Sequence, residues 1–319
     1  MNALALVAIA AVTLGATWLA TFLVRRWLLR FAVFDQPNAR SSHVKATPRG
    51  GGIAVVAVLL LAWAAIGRDG TLLLGLALGL AVLSWIDDLK GLPPGLRLAG
   101  HAAAVLAGLL ALPDMAVFQG LLPLWLDRVL AALMWIWFVN LYNFMDGIDG
   151  ITGVETAVIG LGVTLLGASP LASLHGASLA GAALGFLLWN WHPARIFLGD
   201  VGSVALGFLI GWLLLDLAAR GFWAAALLLP LYHLADATWT LGRRLLRGER
   251  IWQAHRSHFY QRATQVPADH PRTSRLIALH GLGMIGCALW SLSAPLAALV
   301  LGGILTALLL FWFGRAQPV

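Results

Sequence analysis

Hydrophobic residues run through this chain in blocks of helical length, broken by short polar stretches. Eleven apolar runs stand out, near 3–24, 53–67, 71–86, 97–113, 125–142, 152–168, 172–190, 202–218, 221–241, 274–291 and 294–313. A helix needs about 20 mostly apolar residues to cross a bilayer. Backbone polar groups in lipid must be satisfied within the segment, so helices are the spanning elements for such runs. The two-residue alternation of a membrane barrel is absent. The pattern predicts an all-α polytopic membrane protein of 10–11 transmembrane helices, built as a single domain over 1–319. Composition agrees, at 60% hydrophobic and 11% charged residues.

Charge is unevenly shared among the connections. The stretches 25–52, 87–97, 143–152, 191–203 and 242–273 hold most of it, whereas 113–124, 169–171 and 292–294 hold little. No basic residue precedes the first run, but Arg25, Arg26 and Arg30 follow it. Lys and Arg concentrate on cytoplasmic loops, so the N-terminus is expected in the periplasm, the C-terminus in the cytoplasm, and the first run as a retained anchor. That threading places 18 of the 21 Lys and Arg residues inside, leaving Arg68, Arg128 and Arg220 outside. The net charge of +7 then reflects topology, and no soluble basic fold points to nucleic acid. Cys287, the single cysteine, excludes an internal disulfide or a cysteine zinc site and reads as a packing residue. Trp27, Trp125, Trp189, Trp191 and Trp223 sit at segment ends, as an interfacial belt requires.

With charge so scarce, ionisable groups at the ends of apolar runs mark function more often than packing. Asn140, Asn143, Asp146 and Asp149 lie within ten residues at the end of the fifth run. On a helix, residues three apart share a face, and Gly147 and Gly150 permit close approach of a ligand. Asp87 and Asp88 end the third run, where adjacent carboxylates favour a shared cation or a shifted pKa. Mg²⁺ suits carboxylate oxygens together with substrate phosphates. Asp200, in Gly199-Asp200-Val201-Gly202-Ser203, opens the eighth run at a helix N-terminus suited to phosphate; it reads as the metal ligand or, more plainly, as a helix cap.

Lys90 and Arg97 are cations for phosphate oxygens or positive-inside anchors. Arg49 lies in Thr47-Pro48-Arg49-Gly50-Gly51-Gly52, which lacks the Lys-Ser/Thr ending of a Walker loop, and is counted with the substrate-binding cations. His255 and His258, spaced like a metal pair, lack a third ligand. With Arg256 and Arg262 beside them they read as an anion-binding loop or a solvated basic one. His101, His175, His233 and His280 are expected as packing or interfacial residues, and Asp216 receives no role. A transport path would need polar groups across the bilayer, which these runs scarcely offer. A prenyltransferase is the other rival, but its acids are usually spaced by four.

Taken in order, the segments NLYNFMDGIDG, FLGDVGS and DDLKGL resemble the polyprenyl-phosphate N-acetylhexosamine-1-phosphate transferase family over nearly the whole chain. RSSHVKATPRGGG and AHRSHFYQR resemble its WbpL-like, O-antigen-initiating branch. The resemblance implies a bacterial inner-membrane enzyme with its active site facing the cytoplasm. It would transfer sugar 1-phosphate from a UDP-N-acetylhexosamine to undecaprenyl phosphate and release UMP. It implies Mg²⁺, with Mn²⁺ as a substitute, on Asp200, and Asp87 and Asp88 near the lipid phosphate. Asn143, Asp146, Asp149 and Phe197 would line the nucleoside pocket, Phe197 stacking on uracil. His255 and its loop would meet the diphosphate or sugar. Many relatives carry adjacent histidines where this chain has Phe259-Tyr260-Gln261, which leaves His258 as the match. Relatives also imply a homodimer.

Overall fold

A computed structural model of the chain describes residues 2–35, 46–67, 70–250, 255–264 and 270–315. Arg40 to His43 of the first loop motif, Arg68 and Ala254 lie outside the described residues.

All eleven apolar runs are helical. They form α1 (Ala3–Arg30), α2 (Gly52–Ile66), α3 (Thr71–Lys90), α4 (Pro94–Gly108), α5 (Leu124–Phe144), α6 (Ile151–Leu166), α7 (Pro170–Asn190), α8 (Asp200–Leu217), α9 (Trp223–Leu228) with α10 (Leu231–Leu246), α12 (His270–Trp290) and α13 (Pro295–Gly314). The short α11 (Phe259–Ala263) lies in the basic loop. Among the described residues, seven helices are long and apolar enough to cross a membrane, with 200–228, which spans α8, the kink at Gly221 and α9, counted once. The ninth run is not one rod: the chain kinks within Ala218–Phe222, where Gly221 leaves the helical region at φ +95°, and Pro230, which has no N–H for the helical ladder, separates α9 from α10.

At the centre, α8 is buried on nearly every side and packs on α3 and α5. Around it, α7 packs on α1 and α6, and α12 on α6. The buried residues of α1 include Thr13, Thr17 and Thr21, a stripe at helical spacing. Gly181 of α7 lies against Ala10 and Thr13, and Gly185 against Leu14; small residues of this kind let membrane helices approach closely. The outer faces of α1 and α13 keep Leu, Val and Trp exposed, as contact with lipid tails requires.

The polar connections gather at one end of the bundle. Phe34–Asp35 and Thr47–Pro48 form a two-residue antiparallel pair, β1 and β2. From there Arg49 bridges to Phe197, and the N–H groups of Gly50 and Gly51 both donate to its carbonyl, at 3.1 and 2.8 Å. Gly52 meets Gly202 backbone to backbone, with no room for a side chain. The glycine run is therefore a packing device that seats Arg49 beside the start of α8. At the opposite end, Asp216 pairs with Arg220 at 2.8 and 2.9 Å, and Asp127 accepts from the N–H groups of Val117 and Phe118. Cys287 is buried, as a packing residue should be. Trp27 and Trp125 are exposed, but Trp189 is buried, its indole donating to the Trp18 carbonyl at 3.1 Å. It belongs to the α1–α7 contact and not to an interfacial belt.

Candidate active site

Successive helical residues point about 100° apart, so Asp87 and Asp88 leave the last turn of α3 in different directions. Asp88 turns toward α8. It accepts from the N–H groups of Asp200 and Val201, at 3.2 and 3.1 Å, capping that helix from outside. Arg49 Nη2 lies 2.8 Å from Asp88 and 2.6 Å from Asp200, one guanidinium shared by two carboxylates. Asp87 accepts from Leu92 N–H at 2.6 Å and from Arg97 at 3.0 Å. Lys90 is exposed at the end of α3.

Asp87, Arg97, Asp200 and Asn143 meet at the polar end of a cavity of about 750 Å³. Its remaining wall includes Leu83, Leu98, Leu133, Ile136 and Trp137. Asp88 does not line it. His101 does, with Nδ1 3.2 Å from Asn140 Oδ1, so it is a site residue where the sequence suggested packing.

The carboxylates do not converge on one point. Asp200 Oδ2 is the least engaged of their oxygens, with Arg97 at 3.9 Å, and its residue faces the cavity. One hard oxygen donor beside open space fits Mg²⁺, which takes one or two carboxylates and fills its shell with water and substrate phosphate. A second donor set, Asp149, His192 and His270, has the residue types for a metal. There, however, His192 Nδ1 already lies 2.7 Å from Asp149 Oδ2 in a hydrogen bond.

Asn140 and Asn143 share a face of α5, and Asn143 donates to Ser203 Oγ at 3.0 Å. The expectation that Asp146 and Asp149 share a face does not hold. The helix ends at Phe144, and Gly150, at φ +82°, turns the chain into α6. Asp146 then accepts from Thr152 Oγ1 at 2.6 Å, while Asp149 faces the other way, to His192 and to Ala194 N–H at 3.1 Å. Asn190 clips this loop to the next, accepting from Gly150 N–H and donating to Ile196 O.

Burial raises the Asp146 carboxyl to about 6, against the opposing Thr152 hydrogen bond. Its stabilising protonated form is then fully present below the ordinary carboxylate range and lost as pH rises through about 6. The Tm of Asp146→Asn should therefore gain on wild type as pH rises through that value. A Tm difference flat across the window would overturn the assignment. Asp149 behaves oppositely: burial would raise it, but His270, Ala194 N–H and His192 together hold it below the usual range.

Phe197 is half-buried beside Arg49. In the basic loop, the His255 ring stacks on His258 at 4.9 Å. His255 Nδ1 accepts from Ser257 N–H, leaving the ring proton on Nε2. Burial first, then the charges of His258 and Arg244, push His255 down to about 4. Arg256 is exposed and does not reach the large cavity; it lines a neighbouring pocket of about 410 Å³ with Arg243, Arg244, Arg247 and Arg262. Sequence reasoning missed His192, Ser203, Asp236 and His270. Asp236, which holds His258 Nδ1 at 3.2 Å, did carry a signal: an acid inside an apolar run.

Fold and site together define a polytopic helical membrane protein in which Asp87, Arg97 and Asp200 line the polar end of an otherwise apolar cavity. The chain belongs to glycosyl transferase family 4, whose family model matches residues 71–218. It is 30% identical, over 88% of its length and 80% of the relative's, to a decaprenyl-phosphate N-acetylglucosaminephosphotransferase of Mycolicibacterium smegmatis. It is 27% identical to a protein of Bacillus subtilis named as a probable undecaprenyl-phosphate N-acetylglucosaminyl 1-phosphate transferase, over 85% of this chain and 80% of that one. A phospho-N-acetylmuramoyl-pentapeptide-transferase of Synechococcus is 35% identical over 61% of this chain and 64% of its own length. The family resemblance read from the acidic motifs is thus borne out.

Proposed function

We propose that the protein transfers N-acetylhexosamine 1-phosphate from a UDP-sugar to undecaprenyl phosphate, giving undecaprenyl-diphosphate-sugar and UMP. The observation that carries this reading is the cavity that joins Asp87, Arg97 and Asp200 to an apolar wall. A prenyl chain would lie along that wall with its phosphate at the charged end. Family relatives named for polyprenyl-phosphate substrates support the same assignment.

In the proposed reaction a lipid phosphate oxygen attacks the sugar-bearing phosphorus of the UDP-sugar. The bond to the bridging oxygen breaks, and UMP leaves with that electron pair. Both reactants are anions, so arginines aimed at developing charge lower the barrier. Arg97 meets the lipid phosphate at the cavity end, and Asp87 accepts its remaining proton, whose pKa is about 6 in simple monoesters. Asp200 would hold Mg²⁺, which when bound would neutralise charge at the diphosphate. Asn143, Asp146 and Phe197 hold the nucleoside. Asp149, already engaged with His192, acts by shaping that loop. His255 offers Nε2–H, and His258 and Arg256 extend the cationic side toward the sugar diphosphate.

In this reading the chain sits in the bacterial inner membrane with eleven crossings, its N-terminus outside and 242–273 in the cytoplasm. The step would initiate O-antigen or related envelope polysaccharide synthesis. Purified protein with undecaprenyl phosphate and a panel of UDP-N-acetylhexosamines should release UMP. No UMP with any donor would sink the transferase reading and leave a transporter as its rival. In cells, a cysteine placed at Arg256 in a Cys287→Ala background should resist a membrane-impermeant thiol reagent added from outside. Labelling there would invert the topology.

A further inference from the structure

The basic loop is tied down by a carboxylate that the proposed reaction does not use. Asp236, in α10, is fully buried. It accepts five hydrogen bonds. Two come from its own helix, from the Tyr232 hydroxyl at 3.0 Å and Thr240 Oγ1 at 3.1 Å. Two come from the first N–H groups of α11, at Phe259 and Tyr260, at 3.0 and 3.1 Å. The fifth comes from His258 Nδ1, at 3.2 Å. A buried carboxylate costs more than an apolar side chain of the same size unless its lone pairs are satisfied. Here the satisfaction reaches across 22 residues of chain to the histidine of the loop.

Two consequences follow from this geometry. The Asp236 carboxylate accepts from Nδ1–H, which sets the His258 tautomer and leaves Nε2 as the nitrogen left over. Nε2 is buried with no hydrogen-bond partner, a group whose donor or acceptor capacity awaits something else. Half-exposed His255 stacks on the face of the same ring at 4.9 Å. The loop is also fastened to the acidic motif: the Tyr260 hydroxyl donates to the Phe144 carbonyl at 3.1 Å and packs against Gly147, on either side of Asp146.

We propose that Asp236 is a positioning residue of the transfer site. It fixes the tautomer and place of His258 and holds the basic loop against the Asn143–Asp149 segment. Nε2 of His258 is then the nitrogen kept for the sugar diphosphate. This rests on the reading of His258 as a UDP-sugar contact.

The test is a double-mutant cycle in detergent-purified protein, using the UDP-N-acetylhexosamine that supports UMP release. Asp236→Asn and His258→Ala should each lower kcat/KM for the UDP-sugar about ten- to a hundredfold, the size of one charge-assisted contact. KM for undecaprenyl phosphate should stay within about twofold of wild type in both. Combined, they should cost little more than either alone, since coupled residues are not additive. Tyr232→Phe and Thr240→Val, which each remove one bond on the helix side, should lower Tm while leaving UDP-sugar kinetics near wild type. Additive loss in the double variant overturns the proposal, as do wild-type kinetics in Asp236→Asn or His258→Ala. So does a kinetic loss in Tyr232→Phe and Thr240→Val matching that of Asp236→Asn. If Asp236→Asn fails to accumulate, Asp236→Glu, which keeps the charge and moves it by one methylene, is read by the same criteria. Absence of UMP release in wild type is a separate failure, that of the transferase reading itself.

Discussion

Asp200→Asn should lower turnover at least ~10²-fold while the protein still inserts and folds, because the Mg²⁺ proposed on Asp200 would no longer anchor the diphosphate. The structure separates the two halves of that expectation. Asp200 is the first residue of α8, and its backbone N–H, not its side chain, donates the capping contact to Asp88. Asparagine keeps that N–H, and its side-chain oxygen can still accept from Arg49. What disappears is the negative charge at the cavity end. The loss should therefore appear in kcat and in the Mg²⁺ concentration needed for half-maximal rate, with Tm close to wild type. Near-normal activity at ordinary Mg²⁺ would move the metal elsewhere and remove Asp200 from the centre.

The chain showed its helices because lipid enforces them: an apolar run must satisfy its own backbone, so position and length could be read directly. Where the ninth run breaks was less visible. Pro230 signals one break, and Gly221, at φ +95° within Ala218–Phe222, carries the other; Gln119 fastens that turn by donating to the Ala218 carbonyl. The acidic motifs were legible for the same reason as the helices, since charge is scarce in an apolar chain. Their mutual geometry was not. Asp146 and Asp149 diverge because the helix stops at Phe144, before either of them. Arg49 joins Asp88 and Asp200 only because Gly52 packs on Gly202, a contact between segments 150 residues apart. Asp236 lies inside an apolar run, where its burial cost demands partners, but its partners in the basic loop sit 22 to 24 residues further along the chain.

Asp87→Asn and Asp88→Asn, one residue apart, should fail in different ways. Three donors converge on Asp88: the N–H groups of Asp200 and Val201, and the Arg49 guanidinium. An asparagine there must turn its amide NH₂ toward one of them whichever way it flips, so a donor faces a donor in a buried place. Leaving such a group unsatisfied costs about 1–3 kcal/mol, more where a charge is involved. Arg49 is a third exposed and relaxes part of that strain into solvent. Asp88→Asn should thus lower Tm measurably and, by loosening the start of α8 on which Asp200 sits, cut turnover at least ~10-fold. Asp87 has fewer demands. An asparagine keeps an acceptor for Leu92 N–H, and Arg97, more than a third exposed, can swing away. Its substitution should leave Tm near wild type and fall on kcat/KM for undecaprenyl phosphate, by ~10²-fold if Asp87 takes the lipid phosphate proton. Thermal melts and two-substrate kinetics on the pair decide it. Equal Tm losses, or equal losses toward both substrates, would mean that the two aspartates act as one unit and that their divergence on α3 has no functional meaning.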